Sequence, residues 1–155
     1  MNESFMKEAV RLALERMRED RGGPFGAVVV KGGEIIGRGW NAVTSTNDPT
    51  AHAEIMAVRE ACVRLNSFRL GGCELYASCE PCPMCLSAAY WAHLDGIYFA
   101  ATRSDAATAG FDDEMLYREI SRPMAERAIP TQQYMRNLAL PVFAEWMAKA
   151  DKVPY

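Results

Sequence analysis

The sequence predicts an α/β fold, a three-layer α/β/α sandwich around a mixed five-stranded sheet. Three observations carry that reading. A helical stripe opens the chain, a double-glycine turn joins two β-rich runs, and a strand, helix, strand succession fills the middle. From Glu3 to about Asp20, apolar residues recur at Phe5, Ala9, Leu12, Ala13 and Met17, and Gly22-Gly23 ends the stripe. Phe25 to Val30 and Glu34 to Trp40 are rich in β-formers, with Gly32-Gly33 between them as a hairpin turn. Asp48-Pro49-Thr50 is an entry to a second helix, from about Ala51 to Leu65. Cys73 to Ser78 reads as a strand, Cys82 to about Ala92 as a helix and Ile97 to Ala101 as a strand, a right-handed βαβ unit. A loop from Thr102 to Phe111 leads to a short helix near Asp112 to Ile120. Thr131 to Arg136 is expected to be the fifth strand, and Pro141 to Lys152 a terminal helix carrying Phe143, Trp146 and Met147. The 155 residues suggest one domain, 1–155, without repeats or linkers, and the segment from about 131 to 155 is a candidate for exchange between subunits.

The chemistry lies in two short blocks, His52-Ala53-Glu54 and Pro81-Cys82-Pro83-Met84-Cys85. One imidazole and two thiolates leave the fourth tetrahedral position of a zinc ion open and bring its net charge to about zero. A water there, with its pKa drawn towards roughly 7, is a nucleophile at neutral pH, and a nearby carboxylate, Glu54, can carry its proton. If Pro81 lies in the first turn of a helix, Cys82 and Cys85 share one face near its positive end. Glu54 is harder to place. Two residues after His52 on a regular helix, its side chain points elsewhere, so a distorted first turn or the reach of Glu is required.

Each block alone has a plainer reading. A lone histidine beside an alanine-rich helix is commonly packed core, and Cys-x-x-Cys is also a redox pair. Cys79 is either a fourth ligand, closing a structural Cys₃His site, or a strand-end residue facing away. Its separation from Cys82 by Glu80 and Pro81 favours the second. Cys62 and Cys73 read as small buried hydrophobes, and an odd count of five cysteines without a secretory signal argues against disulfides. The N-terminus lacks a basic flank before an apolar core, and no apolar run reaches membrane-spanning length, so a soluble cytoplasmic enzyme is expected. A net charge of −3 and pI near 5.4, with Asp112-Asp113-Glu114 acidic, argue against a nucleic-acid partner and for a small uncharged base.

Together the two blocks match the H-x-E…P-C-x-x-C signature of zinc nucleobase deaminases. The chain resembles the cytidine-deaminase-like zinc superfamily and, within it, the bacterial guanine deaminases, over nearly its whole length. Gly23-Pro24-Phe25-Gly26-Ala27, Asn47 to Glu54 and Ser78 to Cys85 carry the wider resemblance. Gly110-Phe111-Asp112-Asp113 and the terminal Tyr155 carry the narrower one. The resemblance implies one zinc on His52, Cys82 and Cys85, Glu54 as proton shuttle, a homodimer, and a purine base contacting Phe25, Asn41, Ala53 and Asp113. Tyr155 would close over the base. Trp91, six residues after Cys85, either walls the pocket or packs in the core. Phe25, Asn41 and Asp113 also have ordinary readings, as core, turn former and helix-start residue. The expected reaction is hydrolysis of guanine to xanthine and ammonia. The alternatives are guanosine or another aminated heterocycle, and, outside catalysis, a zinc-stabilised structural domain.

Overall fold

The computed structural model describes residues 1–154; Tyr155, expected above to close over the base, lies outside the described residues. The chain falls into two units, the first Met1–Asp113 and the second beginning at Glu114.

In the first unit, helix α1 (Glu3–Arg18) starts at an Asn2 cap whose side chain accepts the Ser4 N–H. Strands β1 (Gly26–Lys31) and β2 (Glu34–Trp40) form the expected hairpin. Its two-residue turn places Gly32 and Gly33 at φ 57° and 85°, where only glycine sits without strain. A short helix α2 (Val43–Thr46) precedes α3 (Ala53–Leu65), and β3 (Cys73–Cys79), α4 (Pro83–Trp91) and β4 (Gly96–Ala101) complete the sheet region. Helix α5 (Arg103–Thr108) occupies what was expected to be loop. The strand order is β2-β1-β3-β4, with β1 antiparallel to both β2 and β3, and β3 parallel to β4. The sheet is mixed, as expected, but it has four strands among the described residues rather than five.

The alternation of β1 divides the core. Val28 and Val30 pack with Leu12 of α1 on one face, and Ala27 and Val29 pack with Ala53, Ala57 and Ala61 of α3 on the other. Ala92, at the end of α4, joins the α3 side. Close approach of α3 to β2 depends on glycine. A Cβ at Gly39 would stand 2.0 Å from the Ala53 carbonyl oxygen, and one at Gly37 would stand 2.2 Å from that of Ala57. The first turn of α3, which follows His52, is thereby pressed onto the sheet.

The second unit holds α6 (Glu114–Ser121), a 3₁₀ turn at Met124–Glu126 and α7 (Arg136–Ala148). The expected fifth strand, Thr131 to Arg136, does not form: residues 131–135 pair with no strand among the described residues, and Met135 turns left-handed at φ 51°, outside the β region, just before α7 begins. Helix α7 begins at Arg136 rather than Pro141, which it carries inside. Pro141 is the sixth residue of that helix, where its missing N–H removes one i→i−4 hydrogen bond and its ring crowds the Asn137 carbonyl. No described residue of this unit is buried. Among the described residues no helix is long and apolar enough to cross a membrane.

Candidate active site

Both metal-ligand blocks sit at helix N-termini, one residue earlier in the helix than the sequence suggests. His52 is the residue before α3, extended at φ −72° and ψ 156°, and Cys82 stands in the same relation to α4 at φ −64° and ψ 168°. Pro83, rather than Pro81, occupies the first turn of α4. This resolves the geometry of Glu54. Because His52 is not yet helical, the rotation of about 100° per residue does not separate the two side chains, and both line the same cavity. The loop before His52 is held by Asp48, whose carboxylate accepts the Thr50 N–H at 2.8 Å and the Thr50 hydroxyl at 2.7 Å, and by the Ala42 N–H on the Ala51 carbonyl at 2.9 Å.

His52 Nδ1 lies 3.6 Å from Cys82 Sγ and 3.6 Å from Cys85 Sγ, and the three donor atoms fall within 4.8 Å of one another. Bond lengths of about 2.05 Å to nitrogen and 2.3 Å to sulfur at tetrahedral angles put N and S about 3.5 Å apart, so the spacing fits zinc. The donors also compete for protons in the way a dication resolves. A hydrogen bond from the Cys85 thiol and the proximity of His52 hold Cys82 at about 4 against the opposing effect of burial. Cys85 is pushed well above the usual thiol range by that same bond and by burial. His52 is raised, chiefly by hydrogen bonding to Cys82. Cys79 stays out of this group. Its thiol donates to the Thr102 carbonyl at 3.6 Å, and burial raises it.

Glu54, at 9 % exposure, is the one acidic or basic side chain that is buried among the described residues. Burial pushes its carboxyl upward, and the neighbouring Cys82 charge adds to that, while His52 opposes it. A cavity of about 280 Å³ opens over these residues, near the lower end of small-molecule pockets. Phe25, Asn41, Ala53 and Asp113, the residues expected to contact a base, all line it. Phe25 meets Phe111 edge to face, with ring centroids 4.9 Å apart at 87°. Asp113 is raised by burial and by the Cys82 charge. Asn41 is oriented: its Oδ1 accepts the N–H groups of Gly23 and Val43, each at 3.3 Å, which leaves its Nδ2 as the group it offers. Trp91, the remaining described candidate, does not wall the cavity; it is 65 % exposed on the last turn of α4. Ser78, Glu80, Arg103, Ala106 and Phe111 line the cavity without having been assigned individual roles from sequence. For Arg103 and Ala106 the signal is the Thr102-Arg103-Ser104-Asp105 capping box, which marks α5, and Phe111 follows that helix within the Gly110-Phe111-Asp112-Asp113 block.

A fold with two helix N-termini converging on a His, Cys, Cys donor set beside a buried glutamate defines a zinc deaminase. The profile of the cytidine and deoxycytidylate deaminase zinc-binding region matches residues 1–101, and the chain belongs to that family. It is 51% identical over 154 residues to the guanine deaminase of Bacillus subtilis, covering 99% of each chain. The crystal structure of the Bacillus subtilis guanine deaminase superposes with a TM-score of 0.97 at 52% identity, covering 100% of this chain and 99% of that one. The tRNA-specific adenosine deaminase of Bacillus subtilis is 36% identical over 126 residues, 81% of this chain and 77% of the relative. The guanine deaminase structure from Nitrosomonas europaea aligns at a TM-score of 0.69 and 33% identity, covering 73% of this chain and 65% of that one.

Proposed function

We propose that this chain is a zinc-dependent guanine deaminase, releasing xanthine and ammonia. The carrying observation is the buried Glu54 carboxylate beside a three-donor metal site that opens into a cavity of purine size. A structural Cys₃His site would close with Cys79, whose thiol turns instead to the Thr102 carbonyl. Guanine is favoured over an RNA adenosine by the likeness to a guanine deaminase at 51% over 154 residues, against 36% over 126 residues for a tRNA-specific adenosine deaminase, and by the acidic charge balance.

His52, Cys82 and Cys85 would hold the zinc, which would supply an acidified water as the nucleophile for C2 of the base. Glu54 would take one proton from that water and pass it to ring N3, then take the second from the hydroxyl left on C2 and deliver it to the amine as the C–N bond breaks and ammonia leaves. Its burial, which disfavours the charged carboxylate, suits Glu54 to hold each proton between steps. Asn41, with its oxygen committed to two backbone amides, donates from Nδ2 and so reads acceptors, the O6 and N7 edge of a 6-oxopurine. Phe25 and Phe111 flank the ring, Ala53 bounds it, and Asp113 stands at the cavity wall as a second acidic group.

The active form is a homodimer in which the segment from about 131 exchanges between copies. Support comes from the second unit, where Leu138, Val142, Phe143 and Met147 are all exposed and none of the described residues is buried. The five free cysteines suit a reducing, cytoplasmic setting. Glu54→Ala tests the mechanism. It retains one zinc per chain and loses on the order of 10²-fold to 10⁴-fold in turnover, whereas near-normal kcat would overturn it.

A further inference from the structure

Glu80 stands between the metal-binding loop and the segment that completes the cavity. It follows β3, two positions before Cys82, on the cavity wall. Pairing of β3 with β4 ends at Cys79 and Ala101, so no strand ladder directs the chain beyond that point. Glu80 takes over there from both its ends. Its backbone N–H donates to the Ala101 carbonyl at 2.8 Å, and its Oε2 accepts the Arg103 N–H at 3.0 Å.

Arg103 is the first residue of α5, and the start of that helix has a division of labour. Thr102 Oγ1 accepts the Asp105 N–H at 3.3 Å, and Asp105 Oδ2 accepts the Thr102 N–H at 2.8 Å. This capping box leaves the Arg103 N–H unserved, and Glu80 serves it. With six residues, α5 is far too short to hold its direction by helix propensity alone. Its end is wired to the substrate-facing loop: the Phe111 N–H donates back to the Ala106 carbonyl at 2.9 Å, and Gly110 makes the turn at φ 92°. The direction of α5 therefore fixes where Phe111 meets Phe25 and where Asp113 enters the cavity.

We propose that Glu80 is a positioning residue for the substrate pocket, acting as a hydrogen-bond acceptor that fixes α5, and through it Phe111 and Asp113, relative to the metal-binding loop. The part of this concerning substrate rests on the deaminase reading above. The role needs an acceptor oxygen rather than a charge, and the variants separate the two.

In the full-length, zinc-loaded protein, Glu80→Ala is expected to keep one zinc per chain and to speed amide exchange across residues 102–113 by about tenfold or more, with the rest of Met1–Asp113 unchanged. For guanine it raises KM by roughly 5-fold to 20-fold while kcat stays within about threefold. Glu80→Gln, whose amide oxygen accepts the same N–H, restores both. Arg103→Pro removes the same bond from the other side, at a helix position where proline is tolerated, and reproduces the exchange effect; Arg103→Ala, which keeps the N–H, does not. Should Glu80→Ala fail to fold, that pair alone decides the matter. Unchanged exchange in Glu80→Ala or Arg103→Pro, a Glu80→Gln variant as impaired as Glu80→Ala, or loss of zinc would each overturn the proposal. Exchange is read without substrate, so a wild-type protein inert on guanine would sink the functional reading while leaving this one standing.

Discussion

The two units of this chain differ in what holds them. Met1–Asp113 buries both faces of its sheet, with Val28, Val29, Leu75 and Tyr76 almost fully enclosed, whereas none of the described residues from Glu114 onward is buried. Apolar content is not the cause, because α7 alone carries Leu138, Leu140, Val142, Phe143, Trp146 and Met147. What the second unit lacks is a partner surface of its own. Helices of 8 and 13 residues without tertiary burial are marginal in water. The lesson is that the two units carry different things: the His52, Cys82 and Cys85 donors and the whole cavity lining belong to the first, and the apolar residues of the second are what the proposed dimer would cover.

That contrast can be broken most strongly in the core. Leu75→Ala should destabilise the protein by about 2 to 5 kcal/mol through lost burial and a residual cavity, read from urea unfolding. Phe143→Ala should cost the folded protomer far less, yet weaken the proposed dimer by about tenfold or more in sedimentation experiments. If Phe143→Ala destabilises as much as Leu75→Ala and leaves association untouched, the division between a self-sufficient and a partner-dependent unit is wrong.

Within the first unit, most of the fold was legible in sequence because local pattern and tertiary packing agree there. The apolar stripe of α1, the Gly32-Gly33 turn and the β3, α4, β4 succession each satisfy a local rule that the sheet also requires. The exceptions have local causes. Val43 to Thr46 forms a helical turn despite β-branched residues, with Ser45 and Thr46 hydroxyls donating to the Ala42 carbonyl. Around Met135 the chain turns left-handed and α7 begins, where an alternation too weak to specify a strand had suggested one. The ligands were readable from residue type and spacing. Their positions just ahead of the helices were not, because a one-residue shift of a helix start is invisible to periodicity, and that shift is what lets Glu54 share the cavity with His52. Trp91 shows the converse: proximity in sequence to a ligand does not aim a side chain at the site.

Smaller effects sharpen the comparison further. Cys79→Ser should keep stoichiometric zinc and activity within about twofold, because its thiol bonds the Thr102 carbonyl and not the metal group. Zinc loss with the fold intact would instead point to a closed structural site. The smallest effect is expected at Glu8, which ties α1 to β2 by accepting from Arg11 and from Arg38, the latter at 3.1 Å. Its side chain is 19% exposed. Hydrogen bonding from Arg11 is the main reason its carboxyl is lowered to about 2. A depressed carboxylate stabilises the fold fully above its unfolded value near 4.5 and progressively less as pH falls towards 2. Glu8→Gln should therefore cost roughly 0.5 to 1 kcal/mol at pH 7, and the gap to wild type should narrow on acidification. A gap that stays constant from pH 7 down to pH 3 would mean the ionised pair contributes nothing.

The central claim, that the site of the first unit deaminates guanine, is tested most directly by ammonia release from guanine, guanosine, adenine, cytosine and cytidine, measured side by side on protein of known zinc content. With one zinc per chain, guanine should be turned over fastest, and adenine, which presents an amino group where Asn41 donates, should be poor. Faster release from any of the other four, or none from guanine by fully zinc-loaded protein, would contradict the account.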